Sequence, residues 1–286
     1  MAESVQLLLK KIEAERKWNY RQTRDRRVRT EAEALAFIAE VGFLPLMNLA
    51  EVDLPSLHAS NDPGRSFAQM NWWDWKETLP EKKACYYAKV LRGRGTFISW
   101  KFFPCFCRLY GRSSSYEEDF RQGLLSRQEK RVLDLLSERG PLRTRELRLL
   151  FGEPSRANTR ALHRALASLQ RSFRVTVCGG DLEGWSHHRW DLVERYVPWQ
   201  RLRAAWSLKP AEARQRLAHK LVQTAVISTA ADIAWLFGWP RPSAEETIAE
   251  LLSAGRLIRV EVQGLEGEYV ATRQTGERLT RSRPRR

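Results

Sequence analysis

Between Ser126 and Phe173 the apolar residues recur at helical spacing in three successive blocks. Ser126 followed by Glu129 forms a capping box, and Val132, Leu135 and Leu136 then give an inner stripe that Gly140-Pro141 stops. A short second helix from Leu142 to Phe151 turns Leu147, Leu150 and Phe151 inward and closes at Gly152. Ser155 caps a third, in which Leu162, Ala165, Leu166, Leu169 and Phe173 form one strongly apolar face. The period then changes to that of strands, over Arg174 to Cys178 and Trp185 to Leu192, around the glycine-bounded loop Gly179 to Gly184. Three helices and a hairpin are the order of a winged helix-turn-helix.

The same order returns near the C-terminus, and a repeated plan is harder to produce by chance than a single one. Pro210 to Ile227 reads as a helix with Leu217, Leu221 and Ala225 inward, and Thr229 or Ser228 opens a second containing Ile233, Leu236 and Phe237. Ser243 with Glu246 caps a third that carries Ile248, Leu251 and Leu252 and stops at Gly255. Leu257 to Gln263 and Glu268 to Thr272 form its hairpin. In the N-terminal third, Thr30 and Glu33 cap a helix carrying Leu35, Ile38 and Ala39, ended by Gly42. Pro45, Pro55 and Pro63 punctuate the stretch beyond Gly42, Glu81 to Leu91 reads as a helix, and Thr96 to Phe103 is a candidate strand.

The expected fold is therefore mainly α with β-hairpin wings, an α+β chain of tandem winged helices. Two are clear, and a degenerate third is one reading of the N-terminus. The expected divisions are 1–110, a central unit 124–198, a C-terminal unit 210–272 and a frayed basic tail 273–286; 111–123 and 193–209 read as connectors.

Composition sharpens this picture. The 286 residues contain 43% hydrophobic side chains and eleven tryptophans, too many for a disordered chain. The net charge of +15 points to a polyanionic partner, nucleic acid before a membrane surface; a merely basic soluble protein is the plain alternative. Cys85, Cys105, Cys107 and Cys178 show no zinc-ligand spacing and read as reduced, buried thiols. No metal or cofactor is expected. The first residues lack the apolar core of a signal peptide, and no stretch is long enough to span a bilayer. A soluble, cytoplasmic, nucleoid-associated monomer is the expectation.

On the helix opened by Ser155, residues Arg156, Arg160, His163, Arg164 and Arg171 fall within a sector of about 100°, opposite the apolar face. Such a helix suits a DNA groove, with early residues near base edges and the rest bracing phosphates. Arg143, Arg145 and Arg148 on the preceding helix, and Arg174 at the wing, would extend this footprint. A solvated arginine face that binds nothing is the plain alternative. The C-terminal unit is a control, because its matching helix carries Glu245, Glu246 and Glu250 and its hairpin Glu261, Glu266 and Glu268. Asn71-Trp72-Trp73-Asp74-Trp75-Lys76 is either a base-stacking platform built on Trp72, Trp73 and Trp75 or, more simply, packed core. His187-His188 reads as a wing feature rather than a metal site.

Five segments carry a resemblance. Phe37-Ile38-Ala39-Glu40-Val41-Gly42-Phe43, Leu54-Pro55-Ser56-Leu57, Trp75-Lys76-Glu77, Lys89-Val90-Leu91 and Ser99-Trp100-Lys101-Phe102-Phe103-Pro104 resemble the AlkZ/YcaQ-type winged-helix DNA glycosylases, and more closely their AlkZ-related branch. The resemblance implies three winged helices around a DNA-binding cleft. It also implies excision of alkylated or crosslinked bases, through a Gln-aliphatic-Gln or Gln-aliphatic-Asp motif soon after a helix that ends in glycine. Counted from Gly42, the motif positions hold Pro45, Leu46 and Met47, and neither Pro45 nor Met47 can orient water through its side chain.

Three functions stay open at this point. One is a binding protein for double-stranded, damaged DNA that has lost the catalytic pair. Another is an active glycosylase in which Glu51 or Asp53, of the triplet Glu51-Val52-Asp53, takes over on a flipped nucleotide; in the plainer reading Asp53 caps the next turn. The third is a transcriptional regulator, for which no dimerisation helix is visible.

Overall fold

The helical periods of the sequence become helices where one face finds a partner to bury against, and the computed structural model describes residues 5–61, 72–181 and 188–281. The chain opens with β1 (Val5–Leu8) and α1 (Leu9–Asn19). Next come α2 (Glu31–Val41), β2 (Phe43–Pro45), the single turn α3 (Leu57–Ser60), α4 (Trp75–Glu81), β3 (Tyr86–Leu91) and β4 (Arg94–Ile98). Two helices, α5 (Phe103–Tyr110) and α6 (Tyr116–Arg121), lead into the central unit. That unit is α7 (Arg127–Arg139), β5 (Leu142–Arg143), α8 (Thr144–Phe151), α9 (Arg156–Arg171), β6 (Val175–Gly180) and β7 (His188–Leu192).

After α10 (Val193–Tyr196) and α11 (Trp199–Ser207), the C-terminal unit runs through α12 (Pro210–Ala225), α13 (Ala230–Phe237), α14 (Arg241–Ser253), β8 (Leu257–Gln263) and β9 (Tyr269–Thr272). It ends in α15 (Arg273–Arg281).

The strand orders are β2-β4-β3, β5-β7-β6 and β1-β8-β9. In the first two a short strand after the first helix pairs antiparallel with the last strand of the hairpin, so the N-terminal third repeats the winged-helix plan of the centre. In the C-terminal unit that short strand shrinks to one bridge, Ser228 to Val270. A different strand completes the sheet there: β1 pairs in parallel with β8, from Val5↔Val260 to Leu8↔Gln263. Leu7 and Ile12 are buried against Val226, Ile227, Val260 and Val262, so the start of the chain finishes the core of its end.

Several sequence expectations are corrected by packing. Residues 86–91, read as part of a helix, form β3, because Tyr86 and Tyr87 bury in opposite directions around a strand paired with β4. The candidate strand from Thr96 ends at Ile98, after which a turn leads into α5. In α2 the inward residues are Ala34, Phe37, Ile38 and Val41, with Ala39 outside. In α7 Leu133 rather than Leu135 completes the buried stripe. The connectors contain α6, α10 and α11. Helix α14 starts at Arg241 and not after Ser243, since Pro242 fits the first turn, where no amide donor is needed. The segment from Arg273, read as a frayed tail, is helical through Arg281: Thr272 Oγ1 accepts from the Thr275 amide, Leu279 is buried and Arg278 pairs with Glu15.

The N-terminal sheet sits between the two other units. Phe43 meets Phe106 and Phe237 edge to face, with centroids 5.5 and 5.8 Å away, which ties β2 to the C-terminal unit. Tyr86 stacks on Phe173 at 5.3 Å, just beyond the end of α9. Gly42 turns the chain between α2 and β2 at φ 82°, and a Cβ there would lie 2.6 Å from the Phe102 ring.

Candidate nucleic-acid interface

Helix α9 is held from below by its apolar stripe: Leu162, Ala165, Leu166 and Leu169 are buried, as the sequence pattern predicts. Its two edges are pinned by polar contacts. On one side the buried Gln170 side chain accepts from the Lys89 amide of β3 at 3.1 Å. On the other, Glu129 of α7 reaches Ser168, one of the hydrogen bonds that outweigh burial and hold the Glu129 carboxyl below its ordinary pKa. At 3.6 residues per turn these anchors leave an open arc of about 160°.

Arg156, Arg160, His163, Arg164 and Arg171 all lie in that arc and are exposed. Helix α8 adds Arg145 and Arg148, also exposed. Arg145, Arg148, Arg156 and Arg160 line one groove of about 550 Å³ between α8 and the start of α9, where Ser155 caps the helix by accepting from the Asn158 amide at 3.0 Å. Arg164 and Arg171 line a second groove beside Glu129. Among the described residues none of these six arginines is paired with a carboxylate, in contrast to Arg143, whose guanidinium meets Asp181 at 3.0 Å. Unpaired guanidiniums at a helix N-terminus make a strong anion-attracting surface.

His163 sits within this array. Burial first, then the charges of Arg148 and Lys89, press its pKa below the ordinary value, so the ring is neutral at pH 7. Its Nε2 accepts from Arg148 Nη2 at 3.1 Å.

Arg174 does not belong to the array, contrary to the sequence expectation. It is buried under α6, with its guanidinium on Asp119, on the Ser114 carbonyl at 2.7 Å and on Glu194 at 3.1 Å. Burial alone would raise the Asp119 pKa; hydrogen bonds from Ser114 and Arg174 outweigh it and hold the carboxyl below the usual range. The arginine is a structural tie, invisible in sequence because Asp119 lies in what reads as a connector.

The tryptophan run is mainly structural. Trp75 is buried in the core, so the stacking role considered for it is overturned by its position. Trp73 carries the Lys76 ammonium at 4.5 Å from its ring centre and meets Trp72 edge-on at 5.8 Å, while Trp72 also lies 5.4 Å from the His58 ring. Lys76 in turn pairs with Glu77 at 2.8 Å, both buried, and His188 Nδ1 lies 3.0 Å from the other Glu77 oxygen. Asn71, Pro63, His187 and most of the wing loop, Leu182 to Gly184 with Trp185, lie outside the described residues.

At the family-motif positions, Pro45 and Leu46 are buried in and after β2, and Met47 is exposed. Of the nearby acids, Asp53 is engaged by Arg16 at 2.6 Å, and its carbonyl accepts from Tyr20. Glu51 is exposed. Among the described residues no group of three or more His, Cys, Asp or Glu is placed to hold a metal, and no helix is long and apolar enough to cross a membrane. All four cysteines are buried thiols. Lys89 beside α9 is the cation that pattern reading missed, since it stands in the segment read as a helix.

Comparison with known proteins agrees with this architecture. The AlkZ-related family matches residues 28–238. The solved structure of a Streptomyces sahachiroi DNA glycosylase, AlkZ, superposes with a TM-score of 0.61 over 99% of this chain and 74% of that one, at 12% identity, a likeness of fold. No curated protein matches the chain.

Proposed function

Because this chain belongs to the AlkZ-related family, we propose that it is a duplex-DNA-binding protein that engages damaged DNA without the glycosidic-bond chemistry of that superfamily. The observation that carries the reading is the open, unpaired arginine face of α8 and α9. Its contacts are chiefly to phosphates, so affinity falls steeply with salt, the logarithmic slope being about 0.9 per phosphate neutralised. The loss of catalysis follows from Pro45 and Met47, which offer neither a proton acceptor nor an amide to hold water. Asp53 is a poor replacement, because Arg16 already occupies its carboxylate.

The test is a gel shift on random, abasic and alkylated duplexes at moderate salt, followed by alkaline cleavage to reveal any excised base. Arg156→Ala with Arg160→Ala removes most binding, and no duplex is cleaved. Unchanged affinity in that pair would sink the interface. Excision that disappears in Asp53→Asn with binding intact would restore the enzyme.

A further inference from the structure

The wing of the N-terminal unit, the β3–β4 hairpin, lies beside the basic helix of the central unit. Its strands join through a two-residue turn, Arg92-Gly93, both at positive φ, with Leu91 opposite Arg94. A register irregularity between Ala88 and Leu91 releases the Lys89 amide from the sheet, and that amide goes to Gln170 of α9. The Lys89 side chain is exposed and close enough to His163 to help depress its pKa. Arg94 is exposed as well, whereas Arg92 lies 4.8 Å from the Trp235 ring of α13 and so ties the turn to the C-terminal unit. From Tyr86 to Ile98 the sequence holds three cations and no carboxylate. The central unit's own wing differs: it begins with Asp181, which occupies Arg143, and Glu183 comes two residues later in sequence.

We infer that this hairpin is a second phosphate-contacting arm: with α9 against a duplex groove, Lys89 and Arg94 brace the backbone of one flanking strand, a task the acidic wing of the central unit is ill suited to. The inference rests on the DNA-binding reading above and assigns the partner's backbone to a second unit of the protein. Because Lys89 is pinned to the edge of α9 through its own backbone, the ammonium is delivered at a fixed place relative to Arg148 and His163.

Lys89→Glu and Arg94→Glu, each in the full chain, are measured by fluorescence anisotropy on a random duplex across a salt series at pH 8, where His163 stays neutral. Each change is expected to weaken binding by about tenfold at moderate salt and to lower the slope of log affinity against log salt by about 0.9, one phosphate contact. Thermal melting checks the fold, and Lys89→Gln serves as the second variant if charge reversal disturbs it. Wild-type affinity and slope in folded Lys89 and Arg94 variants, while Arg156→Ala with Arg160→Ala still abolishes binding, would overturn the arm and leave the DNA reading standing. Absence of binding by the wild-type chain itself would sink both.

Discussion

The central and C-terminal units share one plan of three helices and a hairpin, yet they spend their third helix differently. The segment 124–198 carries fourteen Lys and Arg against nine Asp and Glu, and 210–272 carries six against eight. On α9 the exposed arginines have no carboxylate partner among the described residues, whereas on α14 Arg241 is held by Glu245 at 2.7 Å and Glu250 accepts from Gln215 at 2.9 Å. The C-terminal hairpin adds Arg259 near Glu268, 3.6 Å apart. Completion differs too: the centre supplies its own β5, but the C-terminal sheet needs β1 from the far end of the chain. A shared fold therefore says little about which copy binds; surface charge and its local pairing do. The C-terminal copy is closed by the N-terminal strand and packed on the N-terminal sheet through Phe237.

The largest expected effect separates arginines of the central unit that hold the fold from those that face solvent. Arg174→Ala leaves the buried Asp119 carboxylate with only the Ser114 hydroxyl and the longer contact to Arg112 at 3.5 Å, and its cost is about 3 kcal/mol in denaturant unfolding. Arg156→Ala with Arg160→Ala leaves stability within about 0.5 kcal/mol. If the two variants lost equal stability, the distinction between a tie and an open face would fail. For binding the contrast reverses across the units: the arginine pair loses most affinity, while Glu245→Ala with Glu246→Ala binds at least as well as the parent in the same gel shift. Next in size is the borrowed strand. Leu7→Ala removes a buried side chain from the β1–β8 core and is expected to cost about 2 kcal/mol. It should do so without lowering DNA affinity in the folded protein, and a parallel loss of affinity would show that the C-terminal core and the arginine face are not separable.

Local signals carried most of what was legible in sequence. Capping boxes at Thr30 and Ser126, the stripe of α9 and the position of its arginines follow from nearest neighbours on a helix and are present in the fold. Of Thr229 and Ser228 it is Thr229 that caps α13, whereas the box read at Ser243 and Glu246 is absent because that helix starts earlier, at Arg241. What pattern reading missed depends on distant partners. Strand β3 looks helical until β4 pairs with it; β1 has no meaning without β8, more than 240 residues away; and Arg174 looks like a wing cation until Asp119 is placed over it. The same holds for the interface, because Lys89 joins α9 through a backbone bond to Gln170 that no periodicity announces.

The smallest expected effect compares two histidines, one in each unit. His163 on α9 and His219 on α12 are both depressed in pKa by burial and then by neighbouring cations, Arg148 and Lys89 for the first, Arg256 and Lys220 for the second. Phosphates arriving on α9 favour the protonated form of His163, so its pKa is higher in the complex than in the free protein. Binding then takes up a proton, and affinity rises as pH falls from 7.5 toward 5.5, levelling once the free protein is itself protonated. The gain is about twofold to fivefold, the size of one added exposed charge–phosphate contact of roughly 0.5–1 kcal/mol. Protonation also ends the acceptor role of Nε2, so Arg148 is released toward the phosphate. Anisotropy titrations at fixed ionic strength should show this rise in the parent and in His219→Gln, and a flat profile in His163→Gln. A profile flattened instead by His219→Gln would place the duplex against the C-terminal unit and reverse the assignment of the two copies.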